Sequence, residues 1–587
     1  MKNNNQSLFI TEHKELGKVI VIKFPYSKEI LFRVKNEIFP RLYIPDNKSW
    51  ITPVFNIAKV ISIFPYAFQS EGFKEEFNNQ KLIFHENKKL KEIEYEIDSH
   101  PIVLYPHQKK TINYLVNKKQ SGVLSDPGSG KSFSLIYTFK ALKEKGLVDK
   151  ALVLCPSSLT YNWHKEVLKT EKYIPLIIEG TKKKKIQLLK EKTGDFLITN
   201  FEAIINHTRK SSNLEEDVEE VKEELDIQKE FLKLIKKDRY MLIIDESHRI
   251  KGRKGKTFNF LKKLIKHMEY RYISTGTLIA NKPEDAWSQF YCISPSILGT
   301  SFSRDFANKY CVMGNAYSDY AIVGYKNLEQ LKFTIEQHTI RHLKSEVLEL
   351  PNKYFKNYYI TMGNKQKKLY EELEKSTLKL IDEEEDIIKI ESNVFTLIEM
   401  ASNPNLIDES FSYETEKLFE LDKILEEKID ISNKKVVLWS QFIGNIKLFT
   451  ERYKRYNPVF ICGEVSNKNR HEAVEKFQTD DKVKLLIANP ATGGTGLTMT
   501  SSCVAVFFDK GFSYSLWIQT IDRIHRIGQE KDVEIISLVN KDTIDIGVGM
   551  SLENKEDLSD YLTNVGIPSG NKKEILKKLI RRDTKFL

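Results

Sequence analysis

One stretch of this chain has the residue types and spacing for phosphate chemistry. Ser125-Asp126-Pro127-Gly128-Ser129-Gly130-Lys131-Ser132 follows the apolar run Gly122-Val123-Leu124 and precedes a helical pattern from Phe133 to Glu144. Strand, Gly-rich turn and helix start, in that order, build a phosphate cradle. The glycines let backbone N–H groups approach phosphate oxygens, and the helix N-terminus favours negative charge. Lys131 supplies a point charge for β/γ oxygens, and the Ser132 hydroxyl is a Mg²⁺ ligand type. Ser125 stands where G-x-x-x-x-G-K-[ST] begins with glycine, and a small residue still suits the turn. An ordinary Gly-rich turn is the competing reading, so the context decides.

A second run, Tyr240-Met241-Leu242-Ile243-Ile244-Asp245-Glu246-Ser247-His248, ends a strand in two adjacent carboxylates. Asp245 can hold Mg²⁺, and Glu246 can orient a water for γ-phosphate hydrolysis. Gln108, in Tyr105-Pro106-His107-Gln108 before an amphipathic helix, has an amide that both donates and accepts, as the adenine edge requires. Far downstream, Gln519-Thr520-Ile521-Asp522-Arg523-Ile524-His525-Arg526-Ile527-Gly528-Gln529 places Arg523 and Arg526 three apart. That spacing predicts one helix face. Two such arginines, on a domain without its own P-loop, fit arginine fingers for a nucleotide held elsewhere. Tyr272-Ile273-Ser274-Thr275-Gly276-Thr277 ends in hydroxyls suited to sensing the γ-phosphate.

The surrounding elements are those of an α/β protein. Ala151–Pro156 and Phe196–Asn200 are near-continuous apolar runs, the mark of parallel strands buried on both faces. They alternate with helical patterns. Ligands of such sheets sit at the strands' carboxyl ends, which puts Ser158 and Thr199 where hydroxyls could hold a sugar-phosphate backbone; each could equally cap a helix. A second α/β series opens at Lys435 to Phe442, with strands at 458–462, 483–488 and 504–508. Its Gly-rich loop, Gly493-Gly494-Thr495-Gly496-Leu497, suits close backbone approach.

At 587 residues the chain has room for about three or four domains of ~150 residues. Apolar content of 41% and charged content of 29% are those of a folded protein. The net charge of +11 suits a polyanionic partner. Five scattered cysteines, Cys155, Cys292, Cys311, Cys462 and Cys503, form neither a C-x-x-C pair nor a disulfide framework, which predicts a reducing compartment and no zinc site. The polar start and the lack of any run near ~18 apolar residues predict neither a signal peptide nor a membrane span. The expected location is the cytoplasm, or the nucleus if the host has one.

The expected organisation is an accessory α+β module over 1–100 and a P-loop lobe over 101–350. A helical linker and protrusion over 351–430, a second lobe over 431–545 and a basic helical tail over 546–587 follow. Residues 206–237 read as a charged helical insertion, with Glu215-Glu216-Asp217 inside it. Glu75 to Glu96 reads as helix and linker. The tail, with Lys572-Lys573, Lys577-Lys578 and Arg581-Arg582, reads as a solvated face or a phosphate contact.

In this order the motifs resemble those of superfamily 2 helicase-like ATPases. Asp245-Glu246-Ser247-His248, Trp439-Ser440-Gln441-Phe442 and Asp522-Arg523-Ile524-His525-Arg526-Ile527-Gly528-Gln529 resemble the Snf2 branch. The resemblance covers roughly residues 100 to 545. It implies two RecA-like parallel-sheet lobes and ATP with Mg²⁺ as cofactors. It also implies translocation on double-stranded DNA without full strand separation. The expected oligomeric state is a monomer. Residue by residue it implies Gln108 at adenine, Asp126 to Ser132 and Gly496 at ATP, and Ser132 and Asp245 at the metal. Lys131, Asp245, Glu246, Gln519, Arg523 and Arg526 fall in catalysis, and Ser158, Thr199, Thr277, Ser440, Gln441 and Thr495 on DNA. The chain departs from the Snf2 pattern in its P-loop residues and at Leu278, where proline is common.

Phe24-Pro25-Tyr26-Ser27 through Asp46-Asn47-Lys48-Ser49-Trp50, with Val34, Lys35 and Arg41 between, also resembles the HARP module of annealing helicases. That resemblance implies forked or branched DNA as the partner. A strand-separating DNA or RNA helicase, a remodeller that displaces a DNA-bound protein such as polymerase, and a nucleotide-switched binding protein are the rival readings.

Overall fold

A computed structural model describes residues 6–13, 17–38, 41–79, 101–191, 193–205, 226–250, 255–276, 278, 283–314, 322–383, 385–408, 411, 414–494, 496–553 and 569–582. The chain divides into two compact units. The first comprises 1–126, 130–156 and 164–343; the second comprises 344–587 with the short segments 127–129 and 157–163.

The first unit begins with a small α+β module. Its strands are β1 (Ser7–His13), β2 (Gly17–Lys23), β3 (Leu42–Ile44), β4 (Ser49–Pro53) and β5 (Phe68–Gln69), in the order β3-β4-β2-β1-β5. The alternation in β2 sends Ile20 and Ile22 to one face, where they meet Val34 of helix Lys28–Glu37 and Val60 and Ile63 of helix Ile57–Ile63. Each such fully buried aliphatic side chain contributes roughly 1.5–3 kcal/mol. Ser27 caps the first helix by accepting from the Ile30 N–H at 3.4 Å.

A seven-stranded sheet follows. Its strands are β6 (Gln120–Val123), β7 (Lys150–Cys155), β8 (Pro175–Ile177), β9 (Phe196–Asn200), β10 (Tyr240–Asp245) and β11 (Tyr270–Ser274). After a hairpin of β12 (Cys311–Met313) and β13 (Ile322–Tyr325), β14 (Thr339–Ile340) completes it. The order is β14-β6-β11-β10-β7-β9-β8, and every pairing is parallel. The apolar runs in β7 and β10 are buried along their lengths, as strands covered on both faces must be. Of the charged insertion, 206–225 lies outside the described residues; its end forms helix Ile227–Ile235, which buries Phe231 and Leu234 in the unit's core. Of the linker read over 75–96, residues 80–96 also lie outside them.

The second unit holds a six-stranded sheet of β15 (Lys353–Ile360), β16 (Val436–Trp439), β17 (Val459–Ile461), β18 (Leu485–Ala488), β19 (Val504–Phe507) and β20 (Val533–Asn540). Its order is β15-β20-β19-β16-β18-β17, again all parallel. Residues 353–360, read from the sequence as part of a helical linker, are therefore an edge strand of this sheet. Helices Asn364–Asp382 and Ile387–Ser402 follow it. The basic tail forms helix Ser569–Arg581. Its apolar stripe, Ile575, Leu576, Leu579 and Ile580, is buried with Ile390, Val394 and Leu397. Lys577 pairs with Asp382, and Arg582 with Glu374 at 2.7 Å. The tail is thus packed structure with a charged outer face.

Candidate active site

The phosphate loop leaves β6 between two neighbours. Leu124 N–H donates to the Ile340 carbonyl at 2.8 Å, and the Thr275 N–H donates to Val123 at 3.1 Å. The Ser125 hydroxyl accepts from the His342 N–H at 3.3 Å. Gly128 and Gly130 both have φ of +80°, a region that excludes side chains at a cost of about 1–2 kcal/mol. Helix Lys131–Glu144 starts directly after Gly130. Lys131 Nζ donates to the carbonyls of Ser125 (2.8 Å) and Asp126 (3.1 Å), so its ammonium lies inside the loop.

Gln108 is nearly fully buried, and both ends of its amide are engaged. Oε1 accepts from the Tyr105 N–H at 2.9 Å, and Nε2 donates to the Gly130 carbonyl at 3.1 Å. In this conformation the amide fixes the last glycine of the loop with one of its two N–H donors. A Cβ built on Gly130 would collide with Gln108 Nε2.

The carboxylates arrive two strands away. β6, β11 and β10 are consecutive in the sheet, so their carboxyl ends present Lys131, Ser274-Thr275 and Asp245-Glu246 along one edge. Asp245 ends β10 buried, its Oδ1 accepting from the Glu246 N–H at 3.0 Å. Glu246 occupies the left-handed region (φ 49°, ψ 50°), which for a non-glycine residue stores strain of order 1–3 kcal/mol. That turn swings its carboxylate beside His248, Oε2 to Nδ1 at 3.2 Å. His248 Nδ1 is also 3.0 Å from Thr275 Oγ1. Carboxylate, imidazole and hydroxyl therefore form a chain from β10 to β11. Buried Gln289 holds the same turn, accepting from Ser247 Oγ at 2.7 Å and donating to the Leu278 carbonyl at 2.7 Å. Nothing in the local sequence marks Gln289; it comes from helix Asp285–Ile293.

The residues read as DNA contacts separate. Ser158 is partly exposed. Thr199 is fully buried and donates to the Ile178 carbonyl at 3.2 Å, so its hydroxyl belongs to the sheet interior. Thr277 and Thr495 lie outside the described residues. Ser440 is fully buried; its hydroxyl donates to Asp509 Oδ2 at 2.7 Å and is not open to a ligand. Gln441 is partly exposed, its N–H donating to Asp509 Oδ1 at 2.6 Å. Asp509 also accepts from Ser402 Oγ (2.8 Å) and Asn445 Nδ2 (3.2 Å). Its full burial pushes the carboxyl above the usual range against these hydrogen bonds. Asp509 is the brace of the 440–442 loop, and the apolar run before it is the only sequence signal for it.

The arginine segment differs from its helical reading. Helix Tyr514–Ile521 ends before Arg523, and 522–528 is a series of turns. The Arg523 carbonyl accepts from the Met499 N–H at 2.8 Å rather than from a helical neighbour. Gln529 Nε2 donates to the carbonyls of Thr500 (3.3 Å), Ser502 (2.8 Å) and Ile524 (3.2 Å). Asp522 pairs with Lys344 at 2.8 Å. His525 Nε2 lies 2.8 Å from the Pro351 carbonyl, and burial lowers its pKa. Arg523 is buried, with Nε donating to the Gln519 carbonyl at 3.1 Å; Arg526 is partly exposed. Gly496 takes φ of +72°.

Beside Gln441 the second unit has a cavity of about 250 Å³ lined by Phe395, Phe442, Phe512, Trp517 and Lys510, among others. Lys510 Nζ lies 5.6 Å from the Trp517 ring centroid. Burial lowers its pKa to about 8.

A model of the SNF2-related domain matches residues 107–404, half of the chain. The chain belongs to the SNF2-related family. A helicase conserved C-terminal domain model matches 416–528 of this Snf2-family chain. It is 29% identical over 464 residues to a Mycoplasma pneumoniae protein named as an uncharacterized ATP-dependent helicase, covering 76% of this chain and 41% of that one. Identity to the Saccharomyces cerevisiae ISWI chromatin-remodeling complex ATPase ISW1 is 26% over 473 residues, covering 75% and 39%. The chain thus spans about two fifths of the length of these curated relatives. Among solved structures, the Sulfolobus solfataricus SWI2/SNF2 ATPase core in complex with dsDNA is 24% identical, with a TM-score of 0.37, over 83% of this chain and 99% of that one. Among the described residues, no helix is long and apolar enough to cross a membrane.

Proposed function

We propose that this Snf2-family chain hydrolyses ATP to move along double-stranded DNA, and that forked or branched DNA is its preferred substrate. The observation that carries the reading is the single sheet edge holding Lys131, the Glu246–His248–Thr275 chain and Asp245. A Mg²⁺-nucleotide fits the donor set of these residues: a lysine ammonium and a serine hydroxyl open the helix after the Gly-rich turn, and a buried carboxylate stands two strands away. Ser132 and Asp245 would hold the ion, which neutralises charge on the phosphates when bound. Lys131 would exchange its loop carbonyls for β/γ oxygens. Glu246 would orient the attacking water, and Thr275 would report its state through His248. Arg523 and Arg526, from the second unit, are the proposed transition-state cations, and Gln441 the proposed backbone contact on DNA.

The fork preference rests on the N-terminal module. Tyr26, Phe32, Tyr66 and Phe68 are exposed on it, and the Tyr43 and Trp50 rings meet at 5.1 Å. Lys28, Lys35 and Lys48 belong to the same module. Exposed aromatics among cations suit unpaired bases, which stack at roughly 1–3 kcal/mol each. The test is ATP turnover without nucleic acid, and with single-stranded, duplex and forked DNA and RNA, beside Glu246→Gln. Stimulation greatest on forks, with a loss of about 10²–10⁴ in the variant, supports the proposal. Equal stimulation by all duplexes removes the fork preference. Stimulation by RNA or single strands alone refutes duplex translocation and favours a strand-separating helicase.

A further inference from the structure

The edges of the three larger sheets differ in one respect. Strands β3, β5, β8, β14 and β17 are edges of only two or three residues. Short edges are how soluble proteins avoid pairing with other chains. The sixth edge, β15, is eight residues long. It exposes Tyr354 (51%), Phe355 (54%) and Tyr359 (56%).

The direction of its backbone groups follows from its ends. The Val533 N–H donates to the Asn352 carbonyl, and the Lys541 N–H to the Ile360 carbonyl. Even-numbered residues of β15 therefore face β20, and the parallel register of Lys353 with Val533 through Ile360 with Asn540 carries that alternation along the strand. The N–H and C=O groups of Lys353, Phe355, Asn357 and Tyr359 face outward, and no strand pairs with them among the described residues.

We propose that β15 pairs antiparallel with β15 of a second copy of this chain, on a two-fold axis at Asn357. Only outward-facing residues can exchange hydrogen bonds, which restricts the axis. An axis at Lys356 sets two ammonium groups opposite each other in the same pair, which is unfavourable. An axis at Phe355 pairs Tyr359 with Pro351, which has no N–H. An axis at Asn357 uses the whole strand. It sets Phe355 opposite Tyr359 twice, Asn357 opposite itself, Lys356 opposite Tyr358 and Tyr354 opposite Ile360. No like charges face each other, and aromatic cross-strand pairs stabilise sheets. The result is a continuous twelve-stranded sheet across two copies. The inference goes beyond the proposed motor activity, and departs from the monomer expected from the sequence.

Sedimentation and light scattering over a concentration series test it. The expected mass is twice the chain's 68.4 kDa. Asn357→Pro deletes an outward N–H and spares the β20 ladder, a position where edge strands tolerate proline; it should return the chain to monomer while thermal melting confirms the fold. In an otherwise native chain Asn357→Cys should cross-link to itself under mild oxidation, because directly hydrogen-bonded antiparallel partners have Cα atoms ~5.5 Å apart, within disulfide reach. Lys356→Cys, opposite Tyr358, should not, and the native cysteines are all buried. A monomer up to ~100 µM (about a hundred times a tight-dimer concentration scale) overturns the proposal. So does a dimer that Asn357→Pro leaves intact without Asn357→Cys cross-linking, or a monomer that takes up an extended peptide of another protein on this edge.

Discussion

Replacing Lys510 with methionine should stabilise the second unit. The ammonium lies in an aromatic cavity, and burial lowers its pKa to about 8 from an ordinary 10.5. At about 1.4 kcal/mol per pH unit, the charged form costs about 3 kcal/mol at pH 7. The Trp517 face, 5.6 Å away, returns up to ~2 kcal/mol as a cation–π contact. The substitution removes both and keeps an apolar stem of similar length. Its net effect at pH 7 should be a gain of about 1–3 kcal/mol. The pH dependence has a fixed sign. Between pH 8 and 10.5 the unfolded lysine keeps its proton while the folded one has lost it, so the stability of the native chain rises with pH across that window. The advantage of Lys510→Met should therefore shrink from pH 8 upward and vanish near 10.5. Chemical denaturation at pH 7, 8, 9 and 10 measures it. A variant no more stable than the native chain at pH 7, with a difference flat in pH, would show that the Lys510 ammonium carries no such cost.

Gly130→Ala should abolish nucleotide binding, measured by titration with a fluorescent ATP analogue, because φ of +80° and the Gln108 amide both exclude the methyl group; adding Gln108→Ala should relieve the collision but leave the strain of about 1–2 kcal/mol. Thr199→Val should cost about 1 kcal/mol in a melt through the lost bond to Ile178, with DNA affinity and its salt dependence unchanged; weaker binding at equal stability would restore Thr199 as a contact. Lys417→Met should destabilise by about 3–5 kcal/mol in urea, because Lys417 is fully buried against Asp545 at 2.8 Å and its removal strands that carboxylate.

The chemistry was legible where it lies in contiguous sequence at the end of a buried strand. Apolar runs such as Ala151–Cys155 and Tyr240–Ile244 are what doubly covered strands require, and the groups just beyond them fall on the functional edge. What the sequence hides is assembled from separated segments. Asp509 matters through Ser402, Ser440, Gln441 and Asn445, and Gln289 through a turn some 40 residues upstream. The arginine segment carries helical spacing, but Gln529 takes the Ile524 carbonyl that a continuing helix would use, the Arg523 carbonyl serves Met499, and the helix stops at Ile521. β15 was missed for the opposite reason to β7: its first five residues are exposed on both faces, so Lys353 to Asn357 carry no alternation for a period-two reading to find. Ser440 and Thr199 show that a hydroxyl at a strand's end can as readily serve the interior as a ligand.

The position of β6 sets a timetable. It is sandwiched between β11 and β14, and the Ser121 hydroxyl and His338 carbonyl that join its outer side are 217 residues apart in sequence. At roughly 5–20 residues per second of synthesis, the nucleotide loop leaves the ribosome about 10–45 s before the strand that completes its surroundings. Throughout that interval the outer side of Gly122, Val123 and Leu124 has no strand to pair with. A nascent chain stalled before residue 339 has emerged from the ribosome should therefore be held by chaperones and remain unable to retain nucleotide, whereas one stalled after residue 343 has emerged should fold its first unit and bind.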